Sequence, residues 1–398
     1  SFNFTYDVNT TKILLGKMKV HNGIIFCNLP RVKNNKTEEK EPTFLQLNEK
    51  EEKIKWPNEA MNNISGCSHF LSVVDFDFGD ENNIYILDEG DVGLKCPIKL
   101  YEYNITNNEQ LQSITILERN SSNQNISLNN FVIDTINDYI YISYYNNISN
   151  NGSIKRELGF ISKKLKDNDS LASIIDLYDL NDIKYLYDAK YSFRKSKNIV
   201  VEINKLKANI ALSCDGKYLF FSPLASRMIF SILTEDIRKG NITKNMINEA
   251  YKHDLASAMI TGNLRSLYFV GVENKKLYTE GQIDNDLSIF DYKGFDVRED
   301  KSMNWVTAMS IDNGYLYINS IKSVKNQTTG KGRLKTTIYR VFIDIFNTTI
   351  KNEKSYIYKC SGLEFVWSLN AYIIWLLCVI ILFIISIFVH YGNQQDKE

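Results

Sequence analysis

The groups in this 398-residue chain that could do chemistry are few and scattered. The four histidines, His21, His69, His253 and His390, are each isolated in sequence. No His-Glu-x-x-His, Gly-x-Ser-x-Gly, phosphate-binding Gly-x4-Gly-Lys or calcium-loop spacing occurs. The sequence therefore predicts no catalytic residue, no metal ligand and no cofactor. The densest acidic cluster is Asp88, Glu89 and Asp91. Carboxylates at a channel mouth would bind a cation or an amine. The simpler expectation is a solvated loop in which Asp88 accepts hydrogen bonds from backbone donors. Asp215 in SCDGK and Asp312 in SIDNG are turn formers first, because Asp-Gly and Asn-Gly suit tight hairpins.

Six cysteines are present. Cys378 lies in an apolar run and is expected unpaired, which leaves an odd number. No Cys-x-x-Cys pair points to zinc or to a redox motif. Cys67 with Cys96 is the expected disulfide, and Cys27 with Cys360 a second one. Cys214 is expected as a small buried apolar residue.

The elements that would position these groups are strands. Tyr (24) and Phe (21) are abundant, and aromatic residues favour strands. Short apolar or alternating runs recur between Asn, Asp, Gly or Ser clusters, as in IIFCNL (24–29), NIYILDEG (83–90), YIYISYY (139–145), KYLFFSPL (217–224) and NGYLYINSI (313–321). A polar turn followed by an aromatic-rich strand appears in DTINDYIYISYY, SCDGKYLFFSP, GNLRSLYFVGV and SIDNGYLYINS. Recurrence of this kind is what propeller blades give, with a β-sandwich as the alternative. Residues 33–55, rich in charge, read as a solvated loop. Residues 234–252 read as a helical insertion between blades.

Residues 369–389, LNAYIIWLLCVIILFIISIFV, carry no charge and are long enough to span a bilayer. Trp367, Tyr372 and Tyr391 flank the run as an aromatic belt would. The expected layout is an extracytoplasmic domain at 1–365, a transmembrane helix at 366–391 and a cytoplasmic tail at 392–398. The first residue is Ser1, so a signal peptide is expected to have been removed. Sequons occur at Asn3, Asn9, Asn35, Asn63, Asn104, Asn120, Asn125, Asn147, Asn151, Asn168, Asn241, Asn326 and Asn347. Chance pairing of 44 Asn with 50 Ser and Thr would give about five or six. The excess points to a glycosylated domain of the secretory pathway, and so to a type I single-pass protein with its domain extracellular or luminal. Basic residues before the span, Lys351, Lys354 and Lys359, pull mildly the other way. The 47 basic and 47 acidic residues balance, which gives no electrostatic reason for a nucleic-acid partner.

IYILDEG is followed by KCPIKLYEYNI, with Leu87, Asp88, Gly90, Cys96, Pro97 and Leu100. This pair resembles the L-D-x-G and C-P-x-x-L segments of the yellow/major royal jelly protein family. Pro30 and Arg31 end a strand as in the family, and Gly66, Cys67, Leu71, Ser72 and Val73 match a further segment. Asp215, Gly216, Pro223, Leu224 and Ser226 follow, then Trp305, Ser310, Asp312, Gly314 and Leu316. The resemblance implies a six-bladed β-propeller. Thr307 stands where the family commonly has an acidic residue, and the apolar tail is unusual for it. Some members bind small amines in the propeller channel, and related propellers hydrolyse lactones with calcium. Asp88, Glu89 and Thr307 are the candidate ligand-binding residues. The leading expectation is a non-enzymatic membrane glycoprotein that binds a protein partner as receptor, adhesin or complex subunit. Amine binding and metal-dependent hydrolysis are the alternatives.

Overall fold

The computed structural model describes residues 4–6 and residues 16–342, the latter with gaps of which 30–42, 178–193 and 281–294 are the longest. The chain divides into two units, Ser1–Glu353 and Lys354–Glu398, and every described residue belongs to the first. Among the described residues no helix is long and apolar enough to cross a membrane. The expected span at 369–389 lies outside them.

The described strands form six four-stranded antiparallel sheets and one short hairpin, Arg194–Lys195 with Ile199–Val200. Blade 1 runs outward through Met18–His21, Ile24–Asn28, Phe44–Leu47 and Lys53–Lys55. Blade 2 is Val73–Phe78, Asn83–Asp88, Ile98–Asn104 and Gln110–Leu117. Blade 3 is Ile126–Asp134, Tyr139–Asn150, Ser153–Lys164 and Ser173–Asp176. Blade 4 is Ala208–Leu212, Tyr218–Pro223, Met228–Leu233 and Ile247–Tyr251. Blade 5 is Ala256–Thr261, Leu267–Gly271, Lys276–Glu280 and Phe295–Glu299.

Blade 6 is composite. Trp305–Asp312, Tyr315–Lys325 and Gly332–Phe342 come from the end of the domain, and Phe4–Tyr6 adds the outermost strand. Phe4, Thr5 and Tyr6 pair with Ile338, Thr337 and Thr336. The inner strands neighbour one another in the order 1 to 6 and back to 1, which closes a ring. This is a six-bladed β-propeller. Antiparallel alternation puts every inner strand's start on one face, here the upper. The turns between first and second strands then lie on the lower face.

The core is divided between the blades. Six apolar clusters fill the six interfaces, one per neighbouring pair. The middle strands serve two clusters at once. Ile86 faces blade 1 and Leu87 faces blade 3, while Phe220 faces blade 5 and Phe221 faces blade 3. The period-two alternation of a strand produces this division. Each such side chain, fully buried, contributes roughly 1.5–3 kcal/mol. The aromatic richness is spent here. Phe26, Phe44, Trp56, Phe70, Phe76 and Tyr103 make edge-to-face contacts between blades 1 and 2.

Two expectations are corrected. Residues 33–55 contain two strands of blade 1, because Phe44, Leu45 and Leu47 bury fully among the flanking charges. Residues 234–252 are not a helix between blades. The helix covers only Thr234–Lys239 and stops at Gly240, whose φ of 70° is left-handed. Ile247–Tyr251 then forms the outer strand of the same blade.

Candidate functional site

The inner strand of each blade pairs with a partner on its outer side only. Its other edge looks toward the ring axis, and buried backbone groups there need partners. Polar side chains from neighbouring blades supply them. Asn28 donates to the carbonyls of Val73 (2.8 Å) and Val74 (2.7 Å), linking blade 1 to blade 2. Asp75 Oδ2 accepts from Phe131 N (3.2 Å), linking blade 2 to blade 3. Asn129 donates to Ala208 O, and Asn209 to Ala256 O (3.0 Å). Ser310 Oγ accepts from Val20 N (2.9 Å), which joins blade 6 to blade 1. On the lower face Asp312 accepts from Asn22 N (3.2 Å) and Gly23 N (3.0 Å).

Four inner strands share a register shift near their upper ends. It falls between Val73 and Asp75, Leu128 and Asn130, Ala256 and Ala258, and Val306 and Ala308. The extra residues are Val74, Asn129, Ser257 and Thr307. A bulge re-aims its side chain and ends regular pairing. Three of the four are polar and uncharged, and Asn209 stands at the corresponding place in blade 4. Thr307 is half-buried, and its Oγ1 accepts from Asn319 Nδ2 at 2.8 Å. Asn319 is fully buried, and its Oδ1 has no hydrogen-bond partner. The bulge positions of blades 3, 5 and 6 thus carry an amide and two hydroxyls, with Asn209 at the corresponding place in blade 4 and half-buried Lys17 just before the inner strand of blade 1. Asn129 and Asn209 already donate to the next blade's backbone, which leaves the hydroxyls of Ser257 and Thr307 as the groups there that could hydrogen-bond a small polar ligand.

The acidic candidates sit on the same upper face with other work to do. Asp88 is buried, and Oδ2 accepts from Leu71 N and Ser72 N, both at 2.8 Å. Its Oδ1 accepts from Gly90 N at 2.7 Å. Burial outweighs these bonds and pushes its carboxyl up to about 6. Glu89 Oε1 accepts from Leu128 N at 3.0 Å. Arg119, buried beside it, donates to the carbonyls of Ile126 (3.0 Å) and Glu89 (2.9 Å), so it clamps the passage from blade 2 to blade 3. Asp91 Oδ1 accepts from Leu94 N at 2.9 Å. Among the described residues no three or more of His, Cys, Asp and Glu converge on a metal-sized site.

Cys67 and Cys96 form a disulfide that ties the approach to blade 2 to its upper loop. Cys27 is a buried free thiol; its expected partner Cys360 lies outside the described residues. Cys27 packs into the interface of blades 1 and 6, and burial pushes its thiol up to about 12. Cys214 and Cys378 fall outside the described residues. Of the sequons, Asn63 is exposed and Asn104 is half-buried in a turn where Oδ1 accepts from Thr106 N (2.8 Å). Asn147 lies in the second strand of blade 3; Asn3, Asn9, Asn35, Asn120, Asn125, Asn151, Asn168, Asn241, Asn326 and Asn347 lie outside the described residues. His21 stacks on Phe78 with centroids 4.7 Å apart, and His69 Nδ1 lies 3.1 Å from Ser68 Oγ.

Sequence reading missed Asp75, Asn28, Asn129, Asn209, Arg119 and Asn319. It also missed a buried network on the lower face, where Asp134 meets Asn137 (2.8 Å) and Tyr141 (3.3 Å), with Arg238 Nη1 at 3.5 Å. The usable signal was a polar residue at a fixed place before each aromatic strand.

The strand order and the ring of inner strands define a six-bladed β-propeller with polar side chains at its inner-strand bulges. A family model, Major royal jelly protein, matches residues 187–353, and the chain is similar to that family over this stretch. No curated protein matches the chain. Among solved structures, a luciferin-regenerating enzyme is similar at 11% identity, covering 84% of this chain and 95% of that one, with a TM-score of 0.44. The periplasmic gluconolactonase of Pseudomonas aeruginosa is similar at 10% identity, covering 85% and 83%, with a TM-score of 0.45. The calcium-binding protein regucalcin of Agrobacterium tumefaciens gives 10%, 85%, 95% and 0.44. Likeness at this level says nothing of this chain's chemistry.

Proposed function

We propose that this chain is a membrane-anchored, glycosylated member of the major royal jelly protein family whose propeller is a non-enzymatic binding module for a protein partner. It would be a type I protein with the propeller extracellular or luminal, anchored by residues 366–391 after signal-peptide removal. One observation carries the binding reading. Glu89 and Arg119 on the upper face are engaged with backbone groups that tie blade 2 to blade 3, and Asp88 with backbone groups of blade 2 and its approach. Fold alone does not assign function, so the reading rests on these bonds. Crosslinking and purification of the native full-length protein from its membrane tests it. A stoichiometric protein partner is expected. A chain that travels alone and hydrolyses lactones only with added divalent metal would replace it with the hydrolase reading. Glycosidase treatment should raise electrophoretic mobility if the domain lies outside.

A second reading has its own observation. The Thr307–Asn319 pair places an unpartnered buried acceptor beside the channel mouth. A small amine could donate to this region, with the polar ring orienting it. Calorimetry of the full-length protein with simple aromatic amines should then show saturable binding that Thr307→Ala weakens roughly tenfold, the loss of one good hydrogen bond. Absence of heat with any amine ends this reading.

A further inference from the structure

Two blades are built differently from the rest. In blade 3 the middle strands pair from Tyr139↔Lys164 to Asn150↔Ser153, yet the inner strand reaches only Asn146. In blade 6 they pair from Tyr315↔Phe342 to Lys325↔Gly332, yet the inner strand reaches only Ile321. Each middle hairpin thus continues four rungs beyond its blade. Those rungs are Asn147↔Arg156 to Asn150↔Ser153 and Lys322↔Lys335 to Lys325↔Gly332. At about 3.4 Å per residue, each ribbon extends about 13 Å past the last inner-strand pair. Both ribbons follow second strands, so both rise on the upper face. Blades 3 and 6 are three steps apart in a ring of six, so the ribbons stand on opposite sides of the channel mouth.

Their composition departs from the neutral chain. The blade 3 rungs hold Lys155 and Arg156, and the blade 6 rungs hold Lys322, Lys325, Arg333 and Lys335. Neither set of rungs contains Asp or Glu. Register sets Lys322 directly across from Lys335, and Arg333 one diagonal away on the same face.

We infer that the two ribbons form a basic clamp on the upper face that docks the acidic surface of a partner protein, with the blade 6 ribbon as its main contact. The inference rests on the reading of the propeller as a binding module and names where and by what charge it binds. Electrostatic docking of this kind steers encounter and is weakened by salt.

Poly-L-glutamate is the probe, offered to the full-length protein in phosphatidylcholine nanodiscs. Glycans on the ribbons are controlled by repeating the measurement with Asn147→Gln, Asn151→Gln and Asn326→Gln. Binding that falls with salt is expected. Lys322→Glu, Arg333→Glu and Lys335→Glu together should weaken it at least roughly tenfold. Lys166→Glu, Lys217→Glu and Lys239→Glu, the same charge change at exposed positions on the lower face, should leave it unchanged. Equal loss in both triple variants, or none in the ribbon variant, overturns the inference. So does binding of heparin without poly-L-glutamate, which would assign the clamp to a sulfated polysaccharide. If a native partner crosslinks equally to wild type and ribbon variant, the binding module stands and the clamp falls. If neither captures a partner, both fall.

Discussion

At the scale of the residue, Asp88 shows how a group that looks functional can be structural. Its carboxyl titrates near 6, against an ordinary value of 3.8, because it is buried. A folded-state value raised above the unfolded one means that the folded protein binds the extra proton. Asp88 therefore favours folding most below about 4, and that contribution is lost as pH rises through about 6. A shift of about two units corresponds to roughly 3 kcal/mol. Asp88→Asn should flatten the stability profile across this window. At low pH it should also lower stability, since an amide NH2 facing one of the three backbone N–H donors leaves that donor unpaired, and the gap should narrow or close as pH rises through about 6 and the wild type loses its proton-linked contribution. Thermal unfolding from pH 4 to 7, wild type against variant, checks both effects. The sequence pointed to Asp88 as a backbone cap, because a short acidic side chain after a strand favours that role. It gave no hint that Asp75 or Asn28 bridges blades, because those partners lie 45 or more residues away.

At the scale of the element, legibility followed burial. The runs visible in the sequence are second and third strands, such as Tyr218–Pro223 and Met228–Leu233, which are apolar because both faces meet a neighbouring blade. The inner strands were mostly missed. Their apolar pattern is broken by the polar residues that serve the next blade, as at Asn129 and Asn130 or at Asn209. Outer strands such as Lys53–Lys55 are largely solvated and carry no apolar signature. The loop after the second strand of blade 2 supplies a sharper test. Gly90 has φ of 69°, and a Cβ there would lie 2.4 Å from the carbonyl oxygens of both Cys96 and Pro97. Gly23 has φ of 79° with nothing near. Gly23→Ala should cost about 1–2 kcal/mol, the price of a left-handed backbone alone. Gly90→Ala should cost at least about 2 kcal/mol more, because only backbone can move out of the way. Denaturant unfolding of the two variants separates strain from collision.

At the scale of the whole molecule, three residues complete the last blade. Phe4–Tyr6 completes blade 6 by pairing with Thr336–Ile338. Removing residues 1–6 deletes three rungs, worth of order 2–3 kcal/mol at about 1 kcal/mol per hydrogen bond. It also uncovers an edge that can pair with another chain. A lower unfolding temperature and new dimers on size exclusion are the expected results. A propeller was readable from recurring turn-and-strand units and its six blades from the family resemblance, whereas this closing strand was not readable, since three residues carry no periodic signal. The closure also has a consequence in time. Phe4–Tyr6 finds its partner more than 300 residues further along the chain. At 5–20 residues per second, the growing domain waits roughly 15 seconds to a minute with its ring open. During that interval the lone strand and the unfinished sixth blade are both exposed to whatever else is nearby.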